Sequence, residues 1–323
     1  MAAPADAGSL QLLGEAKIAR LLGAPDTERF EASGVVAVGS VCYIIFDNTT
    51  RVGRISTELE PAAPDNVLID AGRGRDVGYE DIAHDPATGD FFLLVEARRR
   101  GNRFMAKVRE YDSTFQHVSS GWLDLPLETP NKGIEGLTLV SREGERFLLA
   151  SCEGNRCKGG AAGRRTGGGR VHVFAREGRD WARAATIRLP KSLPFEDYSS
   201  LAVDGERVAV VSQASSALWL GTLTASGWDV VDEGAVFGFP RDAQGKTVYA
   251  TPEGVAWLGA DRLAVVSDKA KPTQPARCRK KDQSLHLFAV PSTQQAAEPV
   301  YPSEEQAAPM RGRRHSSATS GGR

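Results

Sequence analysis

No stretch of this 323-residue chain approaches the roughly 18 consecutive apolar residues of a membrane-spanning helix, so no membrane partner is expected. Met1 to Leu10 lacks a basic segment followed by an apolar run, which argues against a secretory signal and leaves the cytoplasm as the expected compartment. An excess of one charge is missing too: 40 Lys and Arg against 41 Asp and Glu give a net charge of −1, so no nucleic-acid partner is expected. Four cysteines are too few at this length for a disulfide framework. Cys42 lies in an apolar run and reads as core. Cys152, Cys157 and Cys278 fall at strand ends or in polar loops, where a disulfide and free thiols both stay open. A zinc site at Cys152 and Cys157 lacks a paired Cys or His close by in sequence. The five histidines, His84, His117, His172, His286 and His315, are scattered, and none is placed to activate a serine or cysteine. Any catalysis would therefore use metal and carboxylates.

What the chain does have is repetition. One short phrase appears five times: Ser33-Gly34-Val35-Val36, Glu80-Asp81-Ile82-Ala83, Glu135-Gly136-Leu137-Thr138, Ser199-Ser200-Leu201-Ala202 and Glu253-Gly254-Val255-Ala256. Each copy is followed, after a short turn, by an apolar β-rich run, at 41–46, 91–95, 147–151, 208–212 and 263–267. A repeat of about fifty residues made only of strands is the signature of a β-propeller. The third repeat divides into strands at 135–140, 147–151, 170–176 and 184–189, and the fourth at 199–203, 208–212, 217–224 and 228–233. The fifth supplies three strands, 253–258, 263–267 and 284–290, and its missing outer strand is assigned to 15–22 near the N-terminus. Such a closure removes an exposed sheet edge. The expectation is an all-β, five-bladed propeller over 15–291, with six blades as the alternative, a flexible N-terminus over 1–14 and a disordered tail over 292–323. That tail is rich in Gln, Ala, Glu, Pro, Ser, Gly and Arg and cannot bury a core. Its Arg311-Gly312-Arg313-Arg314 cluster reads as solvated.

The first residue of each phrase carries the chemistry. First strands of all blades run parallel around the axis, so Ser33, Glu80, Glu135, Ser199 and Glu253 converge at one end of the channel. Three carboxylates facing one axis repel unless they are protonated or neutralised. An all-oxygen ring of carboxylates and hydroxyls suits Ca²⁺, which takes 6–8 oxygens in flexible geometry, better than Mg²⁺. The competing expectation is that these side chains only bond the backbone of the neighbouring blade.

The order Ser, Glu, Glu, Ser, Glu around five blades resembles the central calcium ring of the calcium-activated nucleotidases, the apyrase family of five-bladed propellers. Phe46-Asp47-Asn48-Thr49-Thr50-Arg51 is similar to that family's Asp-Asp-Arg-Thr-Gly segment, Tyr198-Ser199-Ser200-Leu201 to its Phe-Ser-Ser-Phe, and Pro252-Glu253-Gly254-Val255 to its Tyr-Glu-Gly-Ile. The family's second aspartate is Asn48 here, so the resemblance implies the scaffold and the calcium ring rather than nucleotidase activity. The Glu-Gly-hydrophobic-Ala phrase also resembles esterase-like-phytase and SdiA-regulated propellers.

Second strands end in polar residues expected to face the same funnel: Asp47, Glu96, Glu153, Gln213 and Asp268. Asp47 and Asp268 are the candidates for a general base. Tyr79 and Tyr198, one residue before ring positions, are expected either at the mouth or packed between blades. Three basic loops carry Arg98, Arg99, Arg100 and Arg103; Arg156, Lys158, Arg164 and Arg165; and Lys269, Lys271, Arg277, Arg279, Lys280 and Lys281. They suggest a positive rim for an anionic ligand. The stretch 163–169 lacks the Gly-Lys-Ser/Thr of a phosphate-binding loop and reads as flexible. These features point to a calcium-dependent hydrolase or lyase acting on a phosphate- or carboxylate-bearing small molecule, with Glu96, Arg98, Tyr79, Tyr198, Gln213 and Lys269 as ligand contacts. The alternatives are a non-catalytic ligand- or protein-binding propeller with a structural ion, and a scaffold whose ring holds no metal.

Overall fold

Each apolar run pairs antiparallel with the phrase before it and the strand after it, which places the phrase innermost in every sheet. The computed structural model describes residues 5–72, 78–128 and 133–290, and these form a five-bladed β-propeller. From axis to rim, blade 1 is Ala32–Val38, Val41–Phe46, Thr49–Ser56 and Val67–Asp70. Blade 2 is Tyr79–His84, Phe91–Arg100, Arg103–Tyr111 and His117–Trp122. Blade 3 is Ile134–Arg142, Glu145–Cys152, Arg170–Glu177 and Asp180–Arg188. Blade 4 is Ser200–Asp204, Arg207–Ser212, Ala217–Thr222 and Ala235–Gly238. Blade 5 is Pro252–Trp257, Arg262–Ser267 and Ser284–Ala289, completed by Gln11–Lys17.

Side chains alternate along each strand, so a blade covered on both sides sends apolar groups to both neighbours. The core is accordingly spread over five seams. Phe92 and Leu94 meet Leu137 and Leu148 between blades 2 and 3. Leu149 and Val173 meet Leu201 and Val210 between blades 3 and 4, and Val211 meets Leu263 and Val265 between blades 4 and 5. Val35 and Ile44 pack on Ala264 and Val266, and Ile45 on Ile82 and Leu93, which completes the circle.

The N-terminal strand is fastened by polar groups as well as by its ladder. Glu15 accepts hydrogen bonds from Tyr249 Oη at 3.1 Å and His286 Nδ1 at 3.0 Å and is also bonded by Lys281. Burial raises the Glu15 pKa, but the bonds from His286 and Lys281 outweigh it and hold the carboxyl at about 2. Lys17 Nζ reaches Asp282 Oδ1 at 2.5 Å. His286 Nε2 lies 3.0 Å from Ser267 Oγ, so Ser267, His286 and Glu15 stand in the order of a nucleophilic relay. Ser267 and His286 are 1% and 0% exposed, which makes the relay a clasp inside blade 5 rather than a reaction centre.

Three boundaries differ from the sequence-based expectation. The closing strand is Gln11–Lys17 rather than 15–22, because Ile18–Leu21 turns into a helix that sinks Ile18 and Leu21 fully into the seam between blades 5 and 1. Residues expected as a flexible 1–14 segment include part of this strand and also Ala5–Ser9, which adds a parallel fifth strand to blade 4. The fourth strand of blade 4 is Ala235–Gly238 rather than 228–233, since Trp228 leaves the sheet to pack on Phe147, 5.1 Å between ring centroids, under the Arg142 guanidinium at 4.1 Å. The tail at 292–323 lies outside the described residues.

Near the axis, space fixes the second residue of the phrase. A Cβ added to Gly34 would stand 2.6 Å from the Asp81 Cα and 3.1 Å from the Ile82 N, and one on Gly254 would stand 2.9 Å from the Val35 N. The backbone of one blade touches the next here, with only Asp81 and Ser200 carrying side chains at this level. We expect Gly34→Ala to cost about 1–3 kcal/mol in urea denaturation. Gly238→Ala, whose added methyl meets nothing within 4 Å, should change stability by less than about 0.5 kcal/mol. Equal effects of the two substitutions would refute a steric waist.

Candidate functional site

The first residue of the phrase reaches the axis because it is the extra residue of a β-bulge. Ala32 pairs with Phe46 and Gly34 with Ile45, which leaves Ser33 unpaired. Glu135 and Glu253 are skipped in the same way in blades 3 and 5, and the blade 2 ladder shifts between Tyr79 and Ile82, across Glu80. In blade 4 the Ser199 N–H bonds the Val211 carbonyl opposite Ser200. A bulge breaks the two-residue alternation, so this side chain leaves the seams and turns to the channel.

The five ring residues line one cavity of about 50 Å³ together with Glu153, Asp197 and Gln213. The Ser33 hydroxyl donates to the Tyr79 carbonyl at 2.5 Å, and the Ser199 hydroxyl to the Pro252 carbonyl at 3.1 Å. Each serine thus ties its blade to the next while its oxygen lone pairs stay available. Gln213 donates to Glu253. Glu80 and Glu135 share a hydrogen bond, which requires a proton on one of them. Burial, first, and then neighbouring carboxylates push Glu80, Glu135 and Glu253 upward; Glu80 acts on Glu135, and Asp268 and Glu80 act on Glu253.

A second group of acids stands above the ring where blades 1 and 5 adjoin. Asp47 is pushed up to about 7 by burial, then by Asp268 and Glu31. Asp268 is pushed up to about 6, chiefly by burial, against the favourable Lys269 N–H. One buried Asp268 oxygen, Oδ1, has no hydrogen-bond partner. Lys269 Nζ lies 3.6 Å from Glu31, and Lys271 draws Glu253 and Asp268 downward electrostatically. Glu96 stands at this rim, paired with Arg98 at 3.1 Å, and acts on both Glu80 and Asp47.

Asp47, Asp268, Glu96, Arg98, Gln213 and Lys269 therefore gather around the ring. Tyr79 and Tyr198 do not face it. Both are fully buried in seams, where Tyr79 Oη lies 3.0 Å from Tyr111 Oη and Tyr198 donates to Asn155 Oδ1 at 2.9 Å. Both precede the ring residue in sequence and pack in the apolar seams between blades. The positive rim is also weaker than the basic loops suggest, because Arg98, Arg100, Lys158, Lys269, Arg277 and Lys281 are each paired with a carboxylate. The loop after Cys152 is ordered around buried Asn155, whose amide donates to the Gly163 and Phe195 carbonyls and accepts from the Gly168 N–H. Its glycines allow close packing, as where Gly169 lies against the Tyr198 ring.

Sequence reasoning missed Glu31, Asp197 and the waist residue Asp81. Asp81 is fully buried and accepts from Ile82 N at 2.8 Å, Leu137 N at 2.9 Å and Ser200 Oγ at 2.8 Å. Its signal was present: it takes a phrase position that is otherwise Gly or Ser. Beyond this waist the channel opens into a second, wider funnel of about 610 Å³ lined by Val35, Ile82, Leu139, Leu201, Val255 and Trp257, among others. No helix among the described residues is long and apolar enough to cross a membrane.

No family model and no curated protein matches the chain. Among solved structures it is similar to a calcium-binding protein, regucalcin, from Agrobacterium tumefaciens, at 9% identity and a TM-score of 0.49 over 87% of this chain and 95% of that one. It is likewise similar to a glutaminyl cyclase from Myxococcus xanthus, at 12% identity and 0.46 over 88% and 100%. A GH43_1 enzyme from Xanthomonas citri aligns at 12% identity and 0.48 over 93% and 97%. No activity transfers to this chain at such identities and scores. Its fold and site define an acid-centred five-bladed propeller.

Because Asp47 and Asp268 hold protons to about pH 7 and 6 when folded but to about 4 when unfolded, these two sites bind more protons in the metal-free folded state across that window. The contribution of these two carboxyls to stability should therefore fall as pH rises from about 4 to about 7, opposite in sign to that of His172, which burial holds down at about 4. Replacing Glu80 and Glu135 together by Gln should raise the metal-free melting temperature at pH 8 by roughly 3–8 °C in differential scanning calorimetry. A drop on that double substitution would contradict mutual repulsion at the ring.

Proposed function

We propose that this chain is a calcium-dependent propeller enzyme, a hydrolase or lyase acting on a phosphate- or carboxylate-bearing small molecule at the acidic end of its channel. The observation that carries the reading is the cavity in which Glu80, Glu135, Glu153, Asp197 and Glu253 meet Ser33 and Ser199. The donors fit a hard cation: they are oxygen groups on several blades, with neither thiol nor imidazole among them. Carboxyls that need protons to coexist can exchange them for a doubly charged ion. Ser33, Glu80, Glu135, Ser199 and Glu253 would hold that ion, as the resemblance to calcium-activated nucleotidases implies. Bound calcium would supply positive charge to polarise and anchor an anionic substrate group.

The remaining roles fall to the chain's own residues. Asp47, with Asp268 beside it, is the carboxylate placed to act as general base. Lys269, Lys271 and Arg98 border the same acids and can exchange a protein carboxylate for a substrate anion. Gln213, held by Glu253, and Glu96 offer hydrogen-bonding groups to the substrate body. The reaction would run in the cytoplasm.

A second reading, a binding propeller with a structural ion, is favoured by one observation: the Ser33 and Ser199 hydroxyl protons are committed to interblade carbonyls. Turnover of nucleoside phosphates, sugar phosphates and simple phosphate esters, with calcium and with chelator, separates the two. Asp47→Asn and Asp268→Asn should each lower kcat by about 100-fold while leaving calcium-dependent thermal stabilisation in place. Calcium stabilisation without turnover of any of these substrates would reject the enzyme reading in favour of the binding one.

A further inference from the structure

Blade 3 brings together two sulfur ligands and an imidazole, none of which lines the oxygen ring's cavity. Cys152 ends the second strand, Cys157 closes the short turn Asn155–Cys157, and the two are joined as a disulfide. The third strand places His172 against them, with Nε2 3.2 Å from Cys157 Sγ. The two sulfurs and the imidazole nitrogen all lie within 4.8 Å of one another. His172 supplies the partner that the sequence around the two cysteines lacks, from the neighbouring strand rather than from the loop.

We propose that Cys152, Cys157 and His172 form a redox-gated site for a thiophilic divalent ion of the Zn²⁺ class, closed in the disulfide state and opened by reduction. A small dithiol supplies the two electrons and two protons that split the sulfur–sulfur bond, and is itself oxidised to a cyclic disulfide. The ion then displaces both thiol protons and takes two thiolates and the Nε2 lone pair, with water in a fourth position. Zn–S bonds of about 2.3 Å and Zn–N bonds of about 2.0 Å require tetrahedral edges of roughly 3.3–3.8 Å. The Cys157–His172 separation of 3.2 Å is already close to such an edge, and the sulfur–sulfur edge must open when the disulfide is reduced.

Three further features support the assignment. His172 Nδ1 lies 2.9 Å from Thr186 Oγ1, an outer partner that orients the ring and leaves Nε2 facing the sulfurs. His172 is 5% exposed, with Arg183 and Arg170 as its charged neighbours, which favours the neutral imidazole that a metal needs. Cys152 is fully buried but Cys157 is partly exposed, so a reductant and a fourth, water ligand can reach the site from the Cys157 side. Asn155 holds the turn between the cysteines through its bonds to Gly163, Phe195, Gly168 and Tyr198, so the ligands stand on an ordered frame.

The test titrates the full chain with Co²⁺ and then Zn²⁺, before and after dithiol treatment and anaerobic desalting. The reduced chain should bind one cobalt ion with thiolate-to-cobalt charge-transfer absorption, displaced by one equivalent of zinc, and the oxidised chain should show no such band. His172→Asn and Cys157→Ser should remove the tight site, and Thr186→Val should weaken it about 10-fold. Glu80→Gln with Glu135→Gln should leave the thiolate band unchanged, which separates this site from metal held by carboxylates. Absence of the band from the reduced native chain would overturn the proposal, as would an unchanged band in Cys157→Ser or His172→Asn. Cys157→Ser alters a partly exposed residue and keeps the test usable should His172→Asn fail to fold.

Discussion

The structure depends on how closely five inner strands approach one axis. At the level of Gly34, Asp81, Gly136, Ser200 and Gly254, the backbone of one blade touches the next, and an added methyl group at Gly34 or Gly254 would enter a neighbour's main chain. One residue earlier, a bulge turns the preceding side chain toward the channel. The same convergence that leaves no room for a side chain at one level therefore brings carboxylates and hydroxyls together at the level above. Packing and electrostatics have one geometric cause here.

That cause divides the channel into two unlike halves. Asp81 plugs the waist by accepting bonds from blades 2, 3 and 4, and Ser200 extends the network to the Val255 N–H of blade 5. Above it lie acids that disfavour one another's charge; below it lies a wider funnel without a comparable acidic cluster among its lining residues. A cation suits only the upper half. The basic loops around that half are partly neutralised, since Arg98, Arg100, Lys158, Lys269, Arg277 and Lys281 are each matched by a carboxylate. An anionic ligand would be attracted there mainly once the axial acids had been neutralised.

The blade count, the inner strands and the convergence of Ser33, Glu80, Glu135, Ser199 and Glu253 were legible because they are carried by a repeated local pattern. The outer strands were less so. Residues 15–22 fit a strand and a helix almost equally, and the tertiary seam chose helix for Ile18–Leu21. Trp228 sits in a segment of good strand character, but its contact with Phe147 and Arg142 draws it out of the sheet. Tyr79 and Tyr198 were ambiguous because direction at a bulge cannot be read from alternation. The meeting of His172 with Cys152 and Cys157 was invisible for a different reason: it depends on cross-strand register, not on spacing along the chain.

If the axial acids form a cation site, their protons are exchanged for the ion as it binds. Isothermal titration of the full chain with calcium at pH 6.5, repeated in two buffers of different ionisation enthalpy, tests it directly. One tightly held ion per chain and net proton release are expected, so that the apparent heat depends on the buffer. Absence of binding at millimolar calcium, or binding with heats independent of buffer, would contradict it.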